Sequence, residues 1–225
     1  MKPLLVASFV LSAPLHAAVL SQYTFASNTL AATTTGSGVS AGTITNGGGY
    51  TLKQSGFNLG GSGPQALGWA SNQSVPGSVA EALSQNQFFT FTLTPNAGQQ
   101  ISLTGITFLG NAGADTALAR SFELQVSTNG TDFSTIGTGT LISGGTGANA
   151  SFGFSLESYT AITTQTKFRF VAYDVANDDV TWSDGSWIRL DDITVNGTVS
   201  PIPEPSGIAL AALGLLGLAT RRRRA

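Results

Sequence analysis

The sequence contains no cysteine, and its single histidine is His16. Without thiols there is no disulfide, no Cys nucleophile and no thiolate metal site, so an exported form of the chain must be held by its core, with or without metal ions. Everything after His16 also lacks a His general base, a Ser-His-Asp triad and a His-ligated zinc site. Charge is scarce as well. Asp, Glu, Lys and Arg make up 10% of the chain, against about 25% in an average soluble domain. Between Ala18 and Ser200, five bases stand against eleven acids, a net charge of −6. The whole-chain value of −2 hides this, because Lys2 and four arginines near the C-terminus enter it. An acidic domain with no basic stripe excludes nucleic acid as a partner. Sustained helical periodicity is missing too, and only Val79–Leu83 reads as a turn of helix.

What is abundant is glycine, 28 residues, together with Ser, Thr and Asn, and with aromatic and β-branched residues at short intervals. That mixture predicts an all-β extracellular domain with many turns rather than disorder. Phe89, Phe91 and Leu93 alternate with Thr90, Thr92 and Thr94. Phe122, Leu124 and Val126 alternate with Glu123, Gln125 and Ser127, and Phe168, Phe170 and Ala172 with Lys167, Arg169 and Val171. Each is a half-buried strand of period two. Ile101-Ser102-Leu103-Thr104 starts another, which Gly105 interrupts as a bulge before Ile106 and Phe108. Ser127-Thr128-Asn129-Gly130 supplies turn chemistry, with Asn-Gly suited to positive φ. In the last strand Ile188 and Leu190 share one parity, and Ile193 and Val195 have the other. A bulge at Asp191-Asp192 puts all four on the core face; the alternative is a strand buried on both sides. About ten such strands argue a two-sheet β-sandwich of jelly-roll kind.

The candidate chemistry gathers near the end of this domain. Asp174, Asp178, Asp179, Asp184, Asp191 and Asp192 lie within one short stretch with Asn177 and Gly185. Hard carboxylate and carbonyl oxygens on loop backbone suit Ca²⁺, although the spacing is not that of an EF-hand. The plainer reading is a solvated acidic loop. Trp182 and Trp187 flank Asp184. Exposed, they offer faces for stacking sugars; buried, they are core. An enzyme here has to work with carboxylates, and a carbohydrate-active hydrolase needs two of them about 5–10 Å apart. Glu123 and Glu157 are available, but no local pattern singles them out. The Gly-rich stretches 47–49 and 144–147 lack the Lys-Ser/Thr of a phosphate loop and read as turns.

Both ends look like processing segments. Residues 1–17 run from Met1-Lys2-Pro3 through the apolar Leu4–Leu11 to Ser12-Ala13-Pro14-Leu15-His16-Ala17. A basic start, a short apolar run and small residues predict a secretory signal peptide cut after Ala17, with Ala18 as the alternative. The sandwich domain is expected over 18–199, and a tail over 200–225. In the tail, Pro203-Glu204-Pro205 lies in a proline-broken linker, Gly207–Thr220 form an apolar run, and Arg221, Arg222, Arg223 and Arg224 follow. The reading is a short C-terminal hydrophobic helix, stopped at the membrane by arginines that stay inside while the domain is outside.

Those three parts in this order resemble the PEP-CTERM sorting signal. The resemblance implies recognition by exosortase, a membrane-embedded cysteine protease-transpeptidase, in a Gram-negative host that makes exopolysaccharide. It covers only the tail. Ser121–Phe133 followed by Ile188–Gly197 is similar to anonymous jelly-roll domains that precede such tails, and more loosely to galactose-binding-like and carbohydrate-binding sandwiches. The expectation is an exported envelope or matrix protein, anchored to the membrane transiently or permanently. It is non-enzymatic and either polysaccharide-binding or structural; the alternative is the carboxylate hydrolase.

Overall fold

The computed structural model describes residues 17–26, 29–57, 66–71, 76–112, 120–142, 150–173 and 188–203. In chain order its elements are β1 (Ala18–Tyr23), β2 (Thr34–Thr35), β3 (Val39–Ala41), β4 (Thr45–Asn46), β5 (Tyr50–Phe57), β6 (Ala66–Ser71), α1 (Val79–Ser84), β7 (Phe88–Pro95), β8 (Gln99–Asn111), β9 (Arg120–Ser127), β10 (Ser134–Leu141), β11 (Ala150–Ser155), β12 (Thr166–Tyr173) and β13 (Ile188–Pro201). They form two antiparallel sheets. The first runs β11-β8-β13-β1-β2, with β6 also on β13 and β5 on β6. The second runs β10-β9-β12-β7-β3, with β4 also on β7. From β7 onward the chain passes repeatedly between the sheets, as a jelly-roll-like sandwich requires.

The predicted alternations set the core. Phe89, Phe91, Leu93, Phe122, Leu124, Val126, Phe168 and Phe170 are buried on the inner face of the second sheet. Ile101, Leu103, Ile106, Phe108, Leu190, Ile193 and Val195 meet them from the first. Phe170 stacks between Phe89 and Phe122, at 4.9 and 5.0 Å between ring centroids. Phe108 of the opposite sheet meets Phe122 and Phe170 edge-on, at 5.5 and 5.7 Å. Offset and edge-on ring pairs add about 0.5–1.5 kcal/mol each beyond the area they bury, so this aromatic cluster is what holds the layers together without disulfides.

Local chemistry fixes the connections. The β9–β10 turn puts Gly130 at φ 82, the left-handed geometry that Asn-Gly favours. Asn129 Oδ1 accepts from the backbone N–H groups of Thr131 and Asp132. On β10, a Cβ at Gly137 would stand 2.1 Å from a ring carbon of Phe154, so only glycine lets β10 lie over β11 there. Helix α1 begins at Ser78, whose Oγ accepts from the Glu81 N–H at 3.2 Å.

Candidate functional site

The bulge expected at Asp191-Asp192 is present. Asp191 pairs with Leu109 of β8, and the next partners are Thr194 and Thr107, so the register shifts across the aspartates. Asp192 takes φ 48, in the left-handed region. Ile188, Leu190, Ile193 and Val195 are all buried, as the broken parity demanded. The bulge also falls where the other edge of β13 changes partner. Residues 188–190 pair with β6, and 193–197 pair with β1. Two neighbouring strands need two registers, and one extra residue on β13 reconciles them.

That geometry buries a carboxylate. Asp191 is fully buried; its Oδ1 accepts from the Asp192 N–H at 2.8 Å, and its Oδ2 has no hydrogen-bond partner among the described residues. Burial raises its pKa from the usual 3.8 to about 7; the Asp192 N–H opposes the rise, and the Asp192 charge adds to it. Asp191 therefore holds a proton readily near neutral pH. Asp174, Asp178, Asp179, Asp184, Trp182 and Trp187 lie outside the described residues. Among the described residues, no three His, Cys, Asp or Glu side chains come together as a metal site.

The second sheet carries a polar network on its outer face that the sequence does not reveal. Arg169 Nε donates to Gln125 Oε1 at 2.7 Å, and Gln125 Nε2 donates to Glu123 Oε1. Thr135 Oγ1 donates to the same Glu123 oxygen at 2.6 Å. Phe133 folds over the guanidinium, with Cζ 3.7 Å from its ring centroid, and Phe88 lies 5.7 Å away. Burial lowers the Arg169 pKa, and the Glu123 charge opposes that. Glu123 is thus a tied hydrogen-bond acceptor in the middle of β9, whereas Glu157 is exposed in the turn after β11. At the far end of the sandwich, Thr128 and residues 158–164 line a groove of 330 Å³. It is walled by hydroxyls and Tyr159.

The outer face of the first sheet is different again. Strands β1, β2, β6, β8 and β11 contain no charged residue, β13 carries its three charges within Ile188–Asp192, and β5 contains Lys53. Thr, Ser, Asn and Gln side chains alternate outward there with the buried core.

The tail is settled by its own sequence. Residues 201–224 match the family model of the PEP-CTERM protein-sorting motif. The chain carries a PEP-CTERM sorting motif. The motif starts at the last residue of β13, and Ile202 N–H still donates to Gly98 O at 2.9 Å. Pro201, Ile202 and Pro203 are exposed; Glu204, Pro205 and Arg221 to Arg224 lie outside the described residues. The predicted hydrophobic helix lies outside them as well, and among the described residues no helix is long and apolar enough to cross a membrane. Residues 1–16 are likewise outside, and β1 begins at Ala18.

No curated protein matches the chain. Among solved structures, the CBM22-2 xylan-binding domain of Paenibacillus barcinonensis Xyn10C is 14% identical, with a TM-score of 0.47 over 80% of this chain and 99% of that one. The CBM22-1 xylan-binding domain of the same protein is 11% identical, with a TM-score of 0.48 over 83% and 98%. The K3 cleaved adhesin domain of Lys-gingipain from Porphyromonas gingivalis is 15% identical, with a TM-score of 0.44 over 79% and 99%. These likenesses are loose, and the sandwich in front of the PEP-CTERM motif is established by the chain's own two sheets.

Proposed function

We propose that the chain is an exported, non-enzymatic surface protein that works in the envelope or exopolysaccharide matrix of a Gram-negative bacterium. Exosortase processes its tail, and the sandwich contacts polysaccharide or serves as a structural matrix component. The PEP-CTERM motif directly behind the sandwich carries this reading, because a sorting tail has use only on a protein that reaches the membrane from outside. The surface chemistry supports a binder over an enzyme. Glu123 is committed to Thr135 and Gln125, and the outward face of the first sheet offers hydroxyls and amides. We extend the proposal to Ca²⁺ held by the acidic stretch ending at Asp191 and Asp192. The buried, donor-free Oδ2 of Asp191 supports it, since a hard cation satisfies such an oxygen.

The test is to change Pro203, Glu204 and Pro205 to alanine and follow the precursor in the host. The expected outcome is an uncut, membrane-retained form, while the parent chain is shortened and reaches the surface. Identical processing and location of the two proteins would overturn the proposal.

A further inference from the structure

We infer that the outer face of the first sheet is a docking surface for an uncharged, extended polysaccharide; this rests on the polysaccharide reading above and gives it a site and a ligand class. The face is built in register. Thr107 of β8 sits opposite Thr194 of β13, Thr194 opposite Gln22 of β1, and Gln22 opposite Thr34 of β2. One step along β13, Asn196 stands beside Gly105 and Val19, and beyond it Thr198 stands beside Ser102. Their inward neighbours Ile106, Ile193 and Val195 are buried, so the pleat turns all these polar side chains to solvent. Thr107 and Thr34 are exposed, and Gln22, Thr194, Asn196 and Thr198 are partly so.

The lack of charge decides the partner. Exposed sheet faces ordinarily carry charged residues, which keep proteins soluble and guard against edge pairing. Here β1, β2, β8 and β11 have none and β13 has none after Asp192, the sheet's remaining charge being Lys53 on β5, in a domain whose net charge is −6. On the part of the face formed by β11, β8, residues 193–201 of β13, β1 and β2, an anionic polymer meets no cation, since Arg189 and Lys53 lie at the β6 and β5 side of the sheet, and the net charge of the domain repels it. A protein partner finds few apolar anchors, because Val19, 37% exposed, is the one large hydrophobic exposed on these strands among the described residues. Hydroxyls and amides both donate and accept, as sugar hydroxyls do. They lie on a grid set by strand spacing, about 4.8 Å across strands and roughly 6.8 Å between like-facing residues along one. Each hydrogen bond is weak on balance against water. Affinity then grows with the length of chain laid down, and long polymers bind where short oligomers do not.

The experiment is co-sedimentation of the full chain, in a mild non-ionic detergent, with insoluble cellulose, insoluble xylan and calcium alginate beads. Thr194→Lys and Asn196→Lys place a long charged side chain in the middle of the grid. Thr138→Lys on the second sheet, also an exposed threonine, is the control, and Thr194→Ser keeps the hydroxyl. Melting curves show which variants are folded, and Thr194→Ser with Asn196→Lys read the face even if Thr194→Lys is not. The expected result is saturable pelleting with an uncharged polymer that persists in about 1 M salt. It falls roughly tenfold in the two lysine variants and is unchanged in Thr138→Lys and Thr194→Ser. Equal pelleting of all folded variants would move the site elsewhere and overturn this inference while leaving the polysaccharide reading in place. Pelleting with alginate alone would overturn the uncharged class. No pelleting with any polymer would overturn both readings. Self-association without polymer, abolished by Asn196→Lys, would make the face an interface between copies and overturn the inference.

Discussion

At the scale of single residues, the buried aspartate is the most sensitive point. Asp191 keeps its proton to about pH 7 in the folded chain, against the usual 3.8. Below about pH 4 both states are protonated, and the group costs nothing. Between these values the unfolded chain releases the proton while the folded chain holds it, so stability falls as pH rises and then levels off. The ceiling is on the order of 4 kcal/mol. In chelator, the melting temperature should fall by roughly 5–15 °C from pH 5 to pH 8. Asp191→Asn should flatten that slope and melt higher than the parent at pH 8. A parallel pH profile for parent and variant would show that the carboxyl is ionised in the folded state.

At the scale of elements, the last strand shows what a sequence can and cannot convey. Its bulge was legible because Ile188 and Leu190 are out of phase with Ile193 and Val195, and hydrophobic phase is the signal that survives in one dimension. The bulge at Thr104-Gly105 was legible for the same reason, and the Asn129-Gly130 turn because positive φ selects its residues. The cause of the β13 bulge, the change of partner from β6 to β1, was not legible, since which strands neighbour which is a long-range property. Arg120 is 1% exposed, although its sequence neighbours give no sign of it. Its burial among core strands, close enough for its charge to act on the Tyr50 hydroxyl, emerges only from packing. The Arg169-Phe133 contact joins a strand to a turn far from it in the chain and is invisible for the same reason. The calcium proposal belongs at this scale, because it concerns the stretch leading into β13. An ion bound at about 100 times its dissociation constant stabilises by about 2.7 kcal/mol. Chelation should then lower the melting temperature of the parent at pH 8 by roughly 5–10 °C, and calcium should restore it. A melt unchanged from chelator to millimolar calcium would remove Ca²⁺ from the proposal.

At the scale of the whole molecule, the sandwich and its sorting tail share a strand. β13 pairs with β8 along most of its length, and with β6 and β1 on its other edge, so the first sheet is assembled around it. It runs to Pro201, where the PEP-CTERM motif begins, and Ile202 still bonds to Gly98. Almost no spacer therefore separates the folded layers from the sorting motif, and under the proposed processing the position of the cut decides whether the fold survives it. Removal of everything after Pro203 leaves each backbone partner of β13 in place. Removal from Val195 onward strips the pairs that join Val195–Pro201 to β8 and that join Val195, Asn196 and Gly197 to β1. It also removes Val195, which is fully buried in the core; burying an aliphatic side chain of that size contributes about 1.5–3 kcal/mol. A chain ending at Pro203 should melt within a few degrees of the full protein, whereas one ending at Thr194 should be unfolded or proteolysed at ordinary temperature. Loss of the fold in the chain ending at Pro203 would mean that the tail itself supports the sandwich.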